Sequence, residues 1–317
     1  MAVPTTTSGR PATGGTRAIT RRRGRTLQQQ RARMFYILIL PWLIGFVLFV
    51  LGPMLFSLWL SFNRWNLLNL PVAIGFENYV RIAHDALFWQ SLKVTTIYAF
   101  ASVPLGLAFA LLLAILLNQR VRGLAIFRTI FYLPSVASGV AVAVLFLWIF
   151  NPQFGLVNNL LSYLGIPGPG WLASADWALP TLIIMSLWST GGTMIIFLAG
   201  LQNVPAELLE AASLDGAGNL KRFRYVTLPL LTPTILFNLV LLIINQFQTF
   251  TQAYTMTNGG PLYSTLFYVY YLYQNAFAFL NMGYAAALAW VLFTIVLVLT
   301  VIVLRTSDRW VFYQGGG

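Results

Sequence analysis

A helix needs about 20 residues, at about 1.5 Å each, to cross about 30 Å of hydrocarbon. Predominantly apolar runs of at least that length recur along this chain, at Met34 to Phe62, Trp89 to Leu117, Ile126 to Phe150, Ala178 to Gly200, Leu228 to Phe250 and Gly283 to Leu304. No other feature limits the fold as strongly. Of 317 residues, 58% are hydrophobic and only 8% charged, too few charges to keep a soluble domain dispersed in water. The expectation is an all-α membrane protein with six transmembrane helices, for which the lipid bilayer is the main solvent.

Net charge is +12, which in a soluble chain would suggest nucleic acid. The distribution argues for topology and no nucleic-acid partner. Eight of the 19 basic residues lie in the first 33 positions. When loops are assigned alternately to two sides, Arg120, Arg122, Arg128, Lys221, Arg222, Arg224, Arg305 and Arg309 join them, against Arg64, Arg81 and Lys93 opposite. By the positive-inside rule both termini are cytoplasmic, with the loops near 118–125 and 201–227.

Residues 1–33 are rich in Thr, Gly, Arg and Gln, with too little apolar surface to offset ordering entropy, and read as a disordered basic cytoplasmic tail. A transmembrane domain follows over 34–307, then a cytoplasmic tail over 308–317. Pro41, Pro53, Pro104 and Pro134 should interrupt helices, which a membrane tolerates only where neighbours satisfy the freed carbonyls. Trp171 and Trp177, around the run IPGPG, fit rings anchored at headgroup depth. The uncharged segment Ser264 to Leu280 is nearly long enough to cross. Its tyrosines, 268, 270, 271 and 273, suit an interfacial or protein-covered outer helix better, because a seventh span would carry Arg305 and Arg309 outside.

Several chemistries lack their residues. There are no cysteines, and the two lysines, Lys93 and Lys221, fit no phosphate-binding loop. One histidine, His84, cannot form a two-histidine metal site, so no cofactor or metal is expected. No carboxylate falls deep in a predicted span, whereas ion-coupled carriers usually place titratable groups near mid-membrane. Uphill transport would therefore draw its energy from a partner.

The loop between the fourth and fifth runs, VPAELLEAASLDGAGNLKRFRYVTLPLLTP, reads as two short helices around a turn. Pro205 suits a first helical position, Glu207 and Glu210 put negative charge early, and Asp215-Gly216 supplies the break. Within it, EAASLDGAGNLKRFRYVTLP closely resembles the EAA motif of ABC importer permeases: Glu210, Ala211, Ala212, Asp215, Gly216, Ala217, Phe223, Leu228 and Pro229 match in order. GFENYVRI, LFWQSL, TNGGPLYST and RWVFY look like segments of the carbohydrate permeases of maltose and glycerol-phosphate type.

The resemblance implies an ABC importer type I permease bundle in the inner membrane, performing no bond chemistry itself. Its implied partners are a second permease subunit, two ATPase subunits and an extracytoplasmic solute-binding protein. It also implies that Glu210, Ala211, Ala212, Asp215 and Gly216 dock on the ATPase, with Glu210 pairing a basic residue there.

On the fifth run, a 100° helical wheel puts Asn238, Asn245, Gln248, Thr249 and Gln252 on one face, opposite Val240, Ile243, Phe247 and Phe250. Unpaired amides in hydrocarbon cost several kcal/mol, so the stripe meets protein or water. It either lines a pathway for a small polar, hydroxyl-rich solute or makes interhelical hydrogen bonds. Ser186, Ser189, Thr190 and Thr193 on the fourth run, beside Gly191 and Gly192, read as packing. Two other functions compete with an ATP-driven importer: an ion-coupled secondary carrier and a non-conducting scaffold. The absence of mid-span charge weighs against the carrier, and a scaffold does not account for so elaborate a loop.

Overall fold

The computed structural model describes residues 27–119 and 121–312. Most of the expected N-terminal tail, Arg120 and residues 313–317 lie outside the described residues. The chain divides into two units, Met1–Phe56 and Ser57–Gly317. In the first, α1 (Leu27–Phe46), with Pro41 inside it, passes through a π-helical turn at Val47–Leu51 into α2 (Gly52–Ser61), whose residues 57–61 already belong to the second unit. The apolar part, Met34–Ser61, is 28 residues, about 42 Å long and more than a bilayer requires. Helix begins at Leu27, so residues 27–33 do not belong to a disordered tail as expected. Gln28, Gln29, Gln30, Arg31 and Ala32 are good helix formers, and they extend an existing helix without a new nucleation cost.

The second unit continues with a short antiparallel ribbon, β1 (Asn63–Arg64) and β2 (Val72–Ala73), with Asn63 opposite Ala73. Next come α3 (Glu77–His84) and α4 (Ala86–Leu117). Pro104 lies inside α4 without ending it, contrary to expectation. Gly106, Ala110 and Ala114, spaced at i, i+4 and i+8, form a buried stripe of small residues that lets neighbouring backbones approach. Around it cluster Leu113, Leu117, Met194, Phe197, Leu198, Leu201 and Leu231.

Two expected spans are broken. The third is α5 (Leu124–Val136) and α6 (Gly139–Ile149), meeting at 100°. Pro134 sits in the last turn of α5, and Ala137 and Ser138 are extended. After α7 (Leu156–Tyr163), the fourth is α8 (Ala175–Trp188) and α9 (Gly191–Gln202), bent by 46°. The bend brings α9 against α5 so closely that a Cβ on Gly191 would stand 2.3 Å from the Phe131 carbonyl oxygen. Trp171 is buried within the protein, its indole N–H donating to Asn158 Oδ1 at 2.6 Å and its ring packed on Phe150.

α10 (Ala206–Leu214) and α11 (Asn219–Arg222) form the hairpin, and a π-helical turn, Phe223–Thr227, joins α11 to α12 (Leu228–Phe247). The fifth span thus ends at Phe247, three residues sooner than expected. α13 (Tyr268–Tyr273), prolonged by a π-helical turn to Ala278, is far too short to cross, and Tyr268, Tyr270, Tyr271 and Asn275 are buried. It is the protein-covered helix of the two alternatives. α14 (Met282–Ser307) completes the chain, and the Phe312 N–H donates to Thr232 Oγ1 at 2.8 Å beyond it. Among the described residues, four helices are long and apolar enough to cross alone, and the number of spans rises to as many as six where each bent pair counts as one span.

At the end of the bundle where α4 starts, Asp85 ties four helices. Its carboxylate caps α4 by accepting from the Leu87 N–H at 2.9 Å, and it also accepts from the Tyr284 hydroxyl at 2.5 Å and from Tyr271. Burial alone would raise its pKa. The tyrosine and backbone donors outweigh burial and hold the carboxyl below its ordinary value.

Candidate coupling hairpin and solute pathway

The hairpin lies at the other end of the bundle. α10 stops because Gly216 takes a left-handed conformation, φ +80°. The Ala217 N–H then reaches the Ala212 carbonyl at 2.9 Å, and the Gly216 N–H reaches the Ser213 carbonyl at 3.1 Å. This pair of bonds is a Schellman closure, and it satisfies carbonyls that a helix end would leave free. Asp215 caps the end and Gly218 starts α11. Pro205 stands at the cap before α10, one place ahead of the expected first helical position.

The structure brings the expected coupling residues onto one short element: Glu210, Ala211 and Ala212 on α10, Asp215 and Gly216 at its close. All except Ala212 are exposed. Arg64–Glu77 is the ion pair among the described residues, so Glu207, Glu210 and Asp215 have no basic partner there. Leu214, Leu220 and Tyr225, at 89%, 79% and 71% exposure, add apolar surface to the same hairpin.

The expected pathway residues are not gathered into one stripe. Asn238 is 1% exposed and its amide donates to the Thr234 carbonyl at 3.1 Å, a bond within its own helix. Asn245 and Gln248 are exposed. The helical wheel fails beyond Phe247 because Gln248 terminates α12 and the next helical segment starts afresh at Thr251. Thr249 is buried, with its side chain in hydrogen-bonding reach of the Tyr98 hydroxyl, as is Ser186.

Gln252 does meet other polar groups. With Gln246, Tyr98, Ser135, Ser186 and Ser189 it lines a cavity of about 170 Å³ at the break between α5 and α6. No charged side chain lines that cavity. Ser186 and Ser189, expected only to pack, therefore face open space, while Thr190 is buried and donates to the Leu187 carbonyl. Tyr98, Ser135 and Gln246 escaped the sequence reading. The polar interruption Ser135 to Gly139 after Pro134 was the available signal for the break.

Residues 95–311 match the family model described as binding-protein-dependent transport system inner membrane component. The chain belongs to that family. The permease is 48% identical over 284 residues to the probable ABC transporter permease protein YesP of Bacillus subtilis (strain 168), covering 88% of this chain and 92% of that one. It is 36% identical to the sulfoquinovosyl glycerol transport system permease protein SmoG of Agrobacterium fabrum, covering 86% and 90%. Its fold superposes with a TM-score of 0.79, at 25% identity, on a chain of the bacterial alginate ABC transporter in complex with alginate pentasaccharide-bound periplasmic protein. That match covers 89% of the permease and 96% of the other chain. The protein is thus a multi-pass membrane permease subunit of a binding-protein-dependent ABC importer.

Proposed function

We propose that this permease imports a sugar or a related polyol or glycerol-phosphate compound and takes its energy from separate ATPase subunits through the hairpin of residues 201–227. The observation that carries the coupling role is the Schellman-closed α10, which presents unpaired Glu207 and Glu210 beside exposed Leu214, Leu220 and Tyr225. An isolated surface loop gains nothing from such apolar exposure, whereas a docking surface does. Arg122, Lys221, Arg224 and Arg305 fall at the hairpin end, which supports a cytoplasmic position for it and for both termini.

The solute pathway runs past the uncharged cavity, where hydroxyl and amide groups of Tyr98, Ser135, Ser186, Ser189, Gln246 and Gln252 suit a hydroxyl-rich solute. The sulfoquinovosyl glycerol and alginate systems among the relatives handle hydroxyl-rich solutes that are anionic, so they support the hydroxyl-rich class and not its neutrality. At about 170 Å³ the cavity is below the roughly 300 Å³ of an ordinary ligand pocket. A second permease subunit would supply the rest of the site. Asn245 and Gln248, exposed here, are candidates to face it. ATP binding drives the cycle by favouring one state of the bundle, and a binding protein delivers solute to that state.

The test is Gly216→Trp in the assembled importer, reconstituted in vesicles and supplied with a panel of radiolabelled mono- and disaccharides, polyols and glycerol-phosphate compounds. Uptake should fall at least tenfold, because a bulky side chain at positive φ breaks the turn that aims α10. Full uptake by a correctly assembled mutant would overturn the coupling role. Uptake that needs an ion gradient and no ATP would replace it with a secondary carrier.

A further inference from the structure

Lys221, Arg222 and Arg224 follow one another on the hairpin, but only Arg222 turns inward. Lys221 and Arg224 are exposed, and Arg222 is half-buried between the two hairpin helices. Its Nη1 donates to Ser213 Oγ at 2.6 Å, and its Nη2 donates to Asn219 Oδ1. Ser213 in turn donates to the Leu209 carbonyl at 2.9 Å, so the guanidinium is linked through one hydroxyl to the backbone of α10. The planar fork of Arg can hold two acceptors at a fixed angle, which a Lys ammonium does not do.

Behind Arg222 there is space. A cavity of about 420 Å³ lies between the hairpin and the bundle end, lined by Ile115, Asn118, Leu201, Leu209, Arg222 and Phe223 among others. α10 packs chiefly on α11 and on the turn after it. Besides that packing, two connections hold α10 against α11: the four-residue backbone turn, and the bond from Arg222 to Ser213. α11 continues without a break through Phe223–Thr227 into α12.

We infer that Arg222 is a positioning residue for energy coupling: by donating to Ser213 on α10 while Asn219 of its own helix fixes the angle of the guanidinium, it locks α10 to the base of the fifth span, so that a displacement of α10 moves α12 instead of bending the turn. This rests on the coupling role proposed above and adds to it the element that makes the hairpin stiff. Arg222 touches neither solute nor nucleotide. Its loss uncouples the two ends of the machine while leaving each able to work.

The chain has no cysteine, so introduced cysteines are its only labelling sites. Spin labels at Leu241→Cys and Trp89→Cys, both at exposed positions, report movement of the far half of α12 when ATP and vanadate are added to the assembled importer in lipid vesicles. ATP hydrolysis is measured alongside. Arg222→Ala should keep its ATPase rate but lose roughly tenfold of the population that shifts on ATP binding, and Ser213→Ala roughly threefold, because the first removes both guanidinium hydrogen bonds and the second only one of them. Arg222→Lys, which keeps the charge and not the fork, should remain impaired. The double variant Ser213→Ala with Arg222→Ala should be no worse than Arg222→Ala alone.

An unchanged shift in Arg222→Ala, a normal Arg222→Lys, or losses that add in the double variant would each overturn the inference. If Arg222→Ala fails to assemble, Ser213→Ala and Asn219→Ala decide, and normal shifts in both overturn it. A Glu210→Cys crosslink to the ATPase in the otherwise unaltered chain separates the two ideas. No crosslink removes the coupling role itself; a crosslink together with a normal Arg222→Ala removes only the part assigned to Arg222.

Discussion

The two ends of the second unit are built on opposite plans. At the Asp85 end, bonds join residues far apart in the chain: Tyr271 and Tyr284 to Asp85, the Tyr268 N–H to Thr95 Oγ1 at 2.8 Å, the Tyr268 hydroxyl to the Leu288 carbonyl at 2.8 Å, and the Met282 N–H to the Trp65 carbonyl at 3.0 Å. Within the hairpin itself the bonds are local, inside residues 209–222, with about 420 Å³ of space behind them, and the long-range bond at that end, from the Phe312 N–H to Thr232 Oγ1, lies outside the hairpin. Long-range bonds fix elements relative to one another, whereas a locally closed hairpin keeps its own shape and is free to be displaced. One end is a frame and the other a receiver.

Breaking the frame should have the largest effect. Asp85→Ala removes the cap of α4 and leaves two tyrosine hydroxyls without their acceptor, which should cost about 3 kcal/mol. Thermal unfolding of the solubilised permease measures it, and a change below about 1 kcal/mol would mean the frame does not depend on Asp85. The same bonds predict a pH dependence. Because Asp85 is held below its ordinary pKa, the unfolded chain takes up this proton first; the stability is present above about pH 4 and is lost as pH falls through the lower folded value. Tyr271, pushed up to about 12 by burial and by its bond to Asp85, acts in the opposite sense: stability present below about pH 10 is lost as pH rises towards 12. Asp85→Asn should flatten the acid limb.

Gly191→Val should follow, at about 2 kcal/mol, because its side chain would meet the α5 backbone at a contact that cannot open without separating two helices. The hairpin should show the smallest changes in stability. Gly216→Ala carries only the cost of positive φ, about 1 kcal/mol, since nothing lies within 4 Å of the added Cβ. Gly218→Ala, with open space and an ordinary φ of −67°, should be near zero. Equal losses at Gly216 and Gly191 would erase the distinction between receiver and frame.

What the sequence made legible follows the same division. The hairpin could be read almost residue by residue, because Pro205, Asp215, Gly216 and the early glutamates act on neighbours a few positions away. Apolar run length likewise located the spans. The frame could not be read: Asp85 meets partners 186 and 199 positions away, and no local pattern encodes such a pairing. The cavity was equally hidden, since its lining comes from Tyr98 to Gln252. The pathway stripe failed for a different reason. A wheel assumes an unbroken helix, and the polar run QFQTFTQ was itself the mark of a helix ending.

The uninterrupted helix from Asn219 to Phe247 has 29 residues and so measures about 43 Å. Its foot bears the Arg222 bridge, and its far tip carries Gln246 at the rim of the polar cavity. On the coupling role proposed above, signal and response would share this one continuous helix, with no chain of intermediate side chains needed to carry the message. Pivoting that helix by about 5° about its foot would sweep the tip through about 4 Å, comparable to the width of a water-filled gap opening or shutting.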